Sequence, residues 1–277
     1  MWKNFVGRMC TSLNGDQEIL PDIVFIGAGN VASHIAPAIE RSGAGRIRQV
    51  YSRTFNNAQA LAEKLRDAKA TDDLSQILPD ADIYIISIKD DSIGEIAQKL
   101  SPNNALWLHT SGSVNMEVLS ALSPRYGVFY PMQTFSKNAP LEMSEVPLFI
   151  EGSSQEVEKE IESFAAKTFD KVYHADSELR RKMHIAAVFS CNFTNYMWVI
   201  ADELLRKEGL TFDVMKPLME ETLRKAFANT PEQGQTGPAV RGDKNIMEKH
   251  EALLSESDRE VYRLLSDRIF THFNTVQ

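Results

Sequence analysis

The sequence contains little cysteine and no excess of positive charge, and it does not begin with a long apolar run. Its 277 residues include two cysteines, Cys10 and Cys191, which lie far apart and form no metal-binding or redox motif. The formal net charge of −8 argues against nucleic acid or an anionic membrane surface as a partner. Residues 1–8 lack an apolar core of signal-peptide length. We therefore expect a cytoplasmic protein, without disulfides, that acts on small molecules.

One stretch without charged side chains approaches the length of a membrane span. Residues 183–201 contain no Asp, Glu, Lys or Arg over 19 residues. They do include His184, Asn192 and three other polar side chains, which would be costly in lipid. The pattern favours a helix that is buried inside the protein or in a subunit interface.

A glycine-rich turn between an apolar run and a helical pattern suggests nucleotide binding. The run covers residues 23–26, and the turn that follows reads Gly27, Ala28, Gly29, Asn30, Val31 and Ala32. This is the G-x-G-x-x-A pattern of a dinucleotide site, in which Gly27 permits a tight turn and Gly29 lets the backbone approach a pyrophosphate. The start of the next helix favours the phosphate charge. The alternative is a doubly wound domain whose tight first turn binds no ligand.

The tip of the second predicted strand bears on the choice of nucleotide. NAD enzymes usually place an acid there to hold the ribose 2′-hydroxyl. This chain instead has Ser52, Arg53 and Thr54. Arg53 offers a planar, permanently charged group that suits a 2′-phosphate, and the two hydroxyls add donors. The tip favours NADP as the cofactor, with NAD less favoured; the alternative is that Arg53 is a solvated turn residue.

Strand and helix patterns alternate in the first part of the chain, and the strand patterns then stop. Apolar runs predict strands at residues 23–26, 47–51, 70–71, 82–88, 105–109, 126–130, 147–151 and 171–174. Later residues predict helices at 177–206, 211–227, 244–254 and 257–273, with a loop at 233–242. We predict an α/β fold in which a doubly wound, mostly parallel Rossmann sheet precedes an all-helical domain. Residues 1–18 form an N-terminal arm, 19–174 the dinucleotide-binding domain, and 175–277 a substrate and dimerisation domain.

Several polar residues follow predicted parallel strands, at the edge of the sheet where ligands bind. Ile88 follows the fourth strand and is expected to border the cofactor. His109 and Ser111 follow the fifth, and Gln133 follows the sixth. We predict Ser111 as a catalytic residue and His109 and Gln133 as substrate-binding residues. A Ser/Thr-Gly loop is also an ordinary turn, and that alternative stays open.

The long uncharged helix carries polar residues that need partners. At about 100° per residue, one of its faces carries His184, Val188, Cys191 and Asn195, with Asn192 at the flank. We predict His184 as a general acid or base, and Asn192 as a catalytic residue that orients a carbonyl or imine. The alternative is a polar contact within a helix bundle.

The loop at residues 236–243 is unusual in a helical region. Its Gly-Pro and Arg-Gly-Asp sequences turn the backbone. Arg241 is the predicted anchor for a substrate carboxylate, and a surface pair of Arg241 with Asp243 is the alternative.

In the order of its parts the chain resembles the pyrroline-5-carboxylate reductase and 6-phosphogluconate dehydrogenase-like enzymes. It is more closely similar to a bacterial family that pairs a Rossmann-like domain with a C-terminal domain of unknown function. The resemblance rests on residues 26–32, 109–112, 131–135, 184–192 and 236–243. It implies NADP-linked oxidoreduction and a homodimer assembled through the helical domain. The Lys–Asn pair of the hydroxyacid dehydrogenases is absent, since Lys182 is followed four residues on by Ala186, and Tyr130 stands where the family suggests histidine.

These observations lead to two functional hypotheses. The first is an NADP-dependent oxidoreductase that transfers a hydride between nicotinamide and a small carbonyl or imine in a cleft between the two domains. The second is a module that binds NADP without catalysis, as a sensor or as an interaction scaffold. A histidine or serine beside a substrate-sized cleft favours the first, and a cleft filled with aromatic side chains favours the second.

Overall fold

The computed structural model of the protein describes residues 20–137 and 139–275. The predicted N-terminal arm, residues 1–18, and Cys10 lie outside this range. The chain divides into two compact units, one ending at Phe189 and the other beginning at Ser190. The domain boundary expected near residue 174 stays a prediction.

The first unit is built on one eight-stranded sheet. Its strands are β1 (Asp22–Ile26), β2 (Arg46–Tyr51), β3 (Lys69–Thr71), β4 (Ile83–Ile86), β5 (Leu106–His109), β6 (Tyr126–Pro131), β7 (Leu148–Gly152) and β8 (Val172–His174). Their order is β3-β2-β1-β4-β5-β6-β7-β8, and β6 with β7 is the one antiparallel pair of this sheet. The predicted fold class is confirmed. The strand order reverses between β1 and β4, and such a switch point is where doubly wound sheets bind ligands.

Helices cover this sheet and bury its apolar strands. They are α1 (Asn30–Ser42), α2 (Phe55–Ala62), α3 (Asp90–Lys99), α4 (Gln155–Ala165) and α5 (Ser177–Ala187). Short 3-10 turns lie at Leu74–Gln76, Met116–Leu119 and Met143–Glu145. The central strands are fully buried, with side chains such as Phe25 and Ile85 inaccessible to solvent. Continuous apolar strands of this kind are typical of a parallel sheet covered on both faces.

The long helix expected at residues 177–206 is interrupted. After α5 the chain forms a π-helical segment, Val188–Phe193, and then α6, Thr194–Lys207. The predicted face of four residues is therefore wrong, because a π-helical turn contains more residues than an α-helical turn and so rotates by less than 100° per residue. The stretch is also not buried within the chain, since neither the π segment nor α6 contains a buried residue. No helix in the described range is long and apolar enough to span a membrane.

The second unit is helical. Beyond α6 its helices are α7 (Lys216–Ala228), α8 (Pro231–Gly234), α9 (Pro238–Arg241), α10 (Lys244–Glu251) and α11 (Glu256–Asn274), with a 3-10 turn at Phe212–Met215. The loop expected at 233–242 instead contains α9 and the end of α8. Proline at the start of each short helix explains the difference, because its fixed φ suits the first helical turn.

Candidate functional site

A cavity of about 750 Å³ lies at the carboxyl ends of the central strands. Eleven of the predicted site residues line it: Gly27, Ala28, Gly29, Asn30, Val31, Ser52, Arg53, Ile88, Ser111, Gln133 and His184. Another cavity of about 670 Å³ lies at the amino-terminal ends of the strands and contains none of the predicted site residues. The fold therefore gathers residues that are up to 157 positions apart in sequence (Gly27 to His184) around one space.

The two glycines of the turn have different surroundings. Gly27 has a φ of 125°, and its N–H donates to the carbonyl of Tyr51 at 2.8 Å. A Cβ on Gly27 would lie 2.0 Å from the carbonyl oxygen of Ser87. At Gly29 a Cβ would meet nothing within 4 Å, so this position is open. The first turn of α1 carries no acidic side chain, so the turn and the helix start fit a pyrophosphate.

The tip of β2 contributes a cation to the lining of this cavity. Arg53 is exposed and lines the cavity beside Ser52. Thr54 does not line it, and its backbone N–H donates to Oγ of Ser52 at 3.3 Å. Lys99 and Glu95 of α3 also line it, joined by a 2.5 Å ion pair. The sequence does not single out these two residues, because a helical i,i+4 charge pair is an ordinary surface feature.

Ser111 stands at a turn after β5. Its Oγ accepts hydrogen bonds from the backbone N–H groups of Ser113 and Val114, each at 3.0 Å. These bonds occupy the acceptor capacity of the hydroxyl and leave its proton to be donated. Ser111 therefore suits the role of a donor to a carbonyl or carboxamide better than that of a base.

His109 lies behind this turn and does not line the cavity. Its side chain is fully buried, and Nδ1 accepts a hydrogen bond from the Ser111 N–H at 3.2 Å. Burial, together with the positive charge of Arg180, lowers the pKa of His109 to about 3. A neutral imidazole in this place holds the turn, so the predicted contact with substrate has no support from the geometry.

A buried ion pair fixes the same turn from the other side. The guanidinium of Arg180 is 1% exposed and bonds to Glu151 at 2.5 Å. It also donates to the carbonyl of Val114 at 2.6 Å. The sequence does not reveal this role, because Arg180 stands in a run with Arg181 and Lys182 that is typical of a solvated helix start.

The loop after β6 is tied to the start of α1. The amide of Asn30 donates to the carbonyl of Phe135 at 2.9 Å, and Nε2 of His34 lies 3.0 Å from the carbonyl of Ser136. These bonds place Gln133 at the cavity, as expected, although its oxygen already accepts from the N–H of Thr134.

Two of the predicted site residues, Asn192 and Arg241, belong to the second unit. Asn192 lies in the π-helical segment and is exposed. A π-helical turn often marks a functional position. Arg241 ends α9 and pairs with Asp243 at 2.7 Å, which is the surface pair foreseen as the alternative. The roles predicted for both residues stay predictions.

The chain matches two family models. Residues 22–107 match the family described as "NADP oxidoreductase coenzyme F420-dependent". Residues 146–269 match a domain of unknown function, DUF2520. Together they confirm the predicted pairing of an NADP-binding Rossmann domain with a domain of unknown function, and the predicted cofactor at the level of the family.

Solved structures resemble the chain over nearly its whole length. A Bacteroides fragilis protein described as a "putative NADP oxidoreductase" is 46% identical, with a TM-score of 0.85, covering 90% of this chain and 98% of that one. A Myxococcus stipitatus imine reductase in complex with NADP+ is 15% identical, with a TM-score of 0.63, covering 92% and 93%. A Coxiella burnetii pyrroline-5-carboxylate reductase is 19% identical, with a TM-score of 0.52, covering 92% and 98%. The last two share the fold. Among curated proteins, none matches the chain.

Proposed function

Since the chain belongs to the NADP oxidoreductase family of the Bacteroides fragilis protein, with its Rossmann domain and DUF2520 domain, we propose that it reduces a small carbonyl or imine compound with NADPH. One observation carries the proposal: a single cavity joins the glycine turn and Arg53 to Ser111 and His184. The same cavity therefore contains residues suited to bind phosphate and residues suited to donate a proton.

Each part of the cavity has a chemical task in this proposal. Gly29 and the start of α1 hold the pyrophosphate, and Arg53 with Ser52 holds the 2′-phosphate. NADPH, when bound, supplies a hydride. The Ser111 hydroxyl donates a hydrogen bond to a carbonyl or carboxamide, and His184 handles a proton. Side chains able to transfer a proton line the cavity, which supports an enzyme over a binding module.

The second unit completes the proposal. Asn192 orients the substrate carbonyl or imine, and Arg241 anchors a substrate carboxylate. Alanine at either position would raise KM or lower kcat without changing the affinity for NADPH.

Replacement of Arg53 tests the cofactor assignment. In Arg53→Ala we expect the dissociation constant of NADPH to rise roughly 10- to 100-fold, since hydrogen bonds to a charged group contribute about 1.5–3 kcal/mol. The affinity for NADH should stay the same, because NADH has no 2′-phosphate. Calorimetric titration with both nucleotides measures the two effects.

The matched control is Arg41→Ala, which removes the same charge from the last turn of α1, outside the cavity. It should bind NADPH like the parent protein. Equal loss of NADPH affinity in both variants would make the effect one of net charge, and no loss in Arg53→Ala would reject the 2′-phosphate role.

We also propose that two chains associate through the helical domain. No residue of α6, α7, α10 or α11 is buried, and large apolar side chains such as Phe227 (84% exposed) and Leu253 (78%) face solvent. Exposed apolar surface of this extent is typical of a protein-protein interface. A second copy of the same surface is the proposed partner, as in other isologous dimers.

Light scattering tests this association. We expect a mass of about twice 31.2 kDa. Phe227→Glu should shift the protein toward 31.2 kDa, whereas Phe55→Glu, at an exposed phenylalanine of the first unit, should not. A parent protein that runs at the monomer mass at high concentration would reject the dimer.

A further inference from the structure

Two side chains at the Ser111 end of the cavity form a hydrogen-bonded pair. The hydroxyl of Tyr130, near the end of β6, lies 3.1 Å from Nδ1 of His184 on α5. Their rings meet edge to face, with centroids 6.2 Å apart. Both residues line the same cavity as Gly29 and Arg53. A small molecule bound in this cavity next to a nucleotide would therefore contact the pair.

The backbone next to Ser111 leaves room for this pair. A Cβ on Gly112 would lie 2.8 Å from Nδ1 of His184 and 2.8 Å from Cζ of Tyr130. In folded proteins a Cβ atom essentially never lies this close to a non-bonded atom. Glycine at 112 thus allows the phenol and the imidazole to pack directly on the turn that carries Ser111.

The surroundings of Tyr130 keep its hydroxyl protonated. Burial raises the pKa of Tyr130, the negative charge of Asp90 raises it further, and the positive charge of Arg180 lowers it. The Nδ1 atom of a neutral His184 accepts a hydrogen bond from the phenolic O–H. A protonated His184 instead donates its Nδ1–H to the phenolic oxygen, which frees the phenolic proton to point into the cavity.

Resting on the reduction proposed above, we infer that Tyr130 donates the proton to the substrate and that His184 replaces it. Hydride addition to the carbon of a C=O or C=N bond leaves an electron pair on oxygen or nitrogen, which must take up a proton. The Tyr130 O–H bond breaks as the new O–H or N–H bond forms. The Nδ1–H of protonated His184 passes to the phenolic oxygen, so the imidazolium becomes imidazole and Tyr130 is restored. His184 regains a proton from solvent.

The first test needs neither cofactor nor substrate. In protein labelled with ¹⁵N-histidine, the His184 signals are assigned by their loss in His184→Gln. In Tyr130→Phe the signal of neutral Nδ1 should move toward that of a free imidazole, because the nitrogen loses its donor. Tyr126→Phe is the matched control, since that hydroxyl, at the other end of β6, bonds to Glu117 at 2.8 Å. An unchanged Nδ1 signal in Tyr130→Phe would overturn the pair.

The second test measures the proton transfer itself. With NADPH and a panel of cyclic imines and 2-keto acids, Tyr130→Phe should lower the single-turnover rate by roughly 10²-fold or more, while NADPH affinity stays the same. In His184→Gln, which keeps a hydrogen-bond donor but cannot supply a proton, the single-turnover rate should also be low, while NADPH affinity stays the same. Tyr126→Phe should behave like the parent.

The outcomes separate this inference from the function on which it rests. If the parent protein reduces a substrate and Tyr130→Phe does so at the same rate, the relay is rejected and the oxidoreductase stands. If the parent binds no NADPH, the proposed function is rejected, and the Nδ1 signal still decides whether Tyr130 and His184 are coupled.

Discussion

Gly27→Ala is expected to lose about 4 kcal/mol of folding free energy, or to fail to fold. The added Cβ would lie 2.0 Å from the carbonyl oxygen of Ser87, at the end of β4, and the φ of 125° is one that alanine rarely adopts. The clash is with backbone, so no side chain can rotate away. Since β1 and β4 pair directly, relief would separate the strands at the point where the sheet reverses its order. Urea unfolding monitored by circular dichroism measures the loss.

Gly29→Ala is the matched variant two residues away. Gly29 has a φ of −80°, and a Cβ there meets nothing within 4 Å, so stability should change by less than about 1 kcal/mol. The same methyl group would stand where the backbone approaches the pyrophosphate, so NADPH affinity should fall about tenfold or more. Equal stability losses in the two variants would contradict the structure of this turn. A Gly29→Ala variant with full NADPH affinity would contradict its role.

Arg180→Met is the second substitution with a large expected effect, a loss of about 3–5 kcal/mol of stability. Methionine has a similar length but leaves the Glu151 carboxylate, 12% exposed, without its cation. The carboxylate keeps its bonds from the N–H and hydroxyl of Ser177, which do not neutralise its charge. The Val114 carbonyl also loses its donor. The thermal unfolding temperature and urea midpoint should both fall.

Arg181→Met is the control, since Arg181 is the next residue on the same helix and is exposed. Its stability should change by less than about 0.5 kcal/mol, as for most surface substitutions. If the two variants were equally stable, the buried pair would contribute nothing to the turn that carries Ser111.

The sequence predicts the fold in detail because apolar runs and glycine turns are local patterns. The run at residues 82–88 has no polar alternation, and it forms the buried central strand β4. The glycine turn, the tip at Arg53 and the Ser111 loop all follow strands whose carboxyl ends meet at one edge, so topology alone brings them together. That reasoning places most of the predicted cofactor residues at the cavity.

Residues that depend on packing are harder to predict. Arg180 and Arg181 look alike in sequence, and only the position of Glu151 distinguishes the buried residue from the exposed one. His109 ends β5, at the edge of the sheet where ligands bind, yet its ring accepts a hydrogen bond from the backbone of Ser111 and lies behind that turn. The partnership of Tyr130 with His184 spans 54 positions and depends on the absence of a side chain at Gly112. The π-helical segment, Val188–Phe193, lies within a run whose residues are compatible with a continuous α-helix, so the sequence does not predict it.

A crystal structure with NADP+ tests the central claim most directly. We expect the nucleotide in the cavity at the carboxyl ends of the strands. Its pyrophosphate should lie at Gly29 and its 2′-phosphate should bond to Arg53. Its nicotinamide should lie beside Ser111 and the Tyr130–His184 pair. A nucleotide bound elsewhere, or crystals that take up none at millimolar concentration while this cavity stays open to solvent, would contradict it.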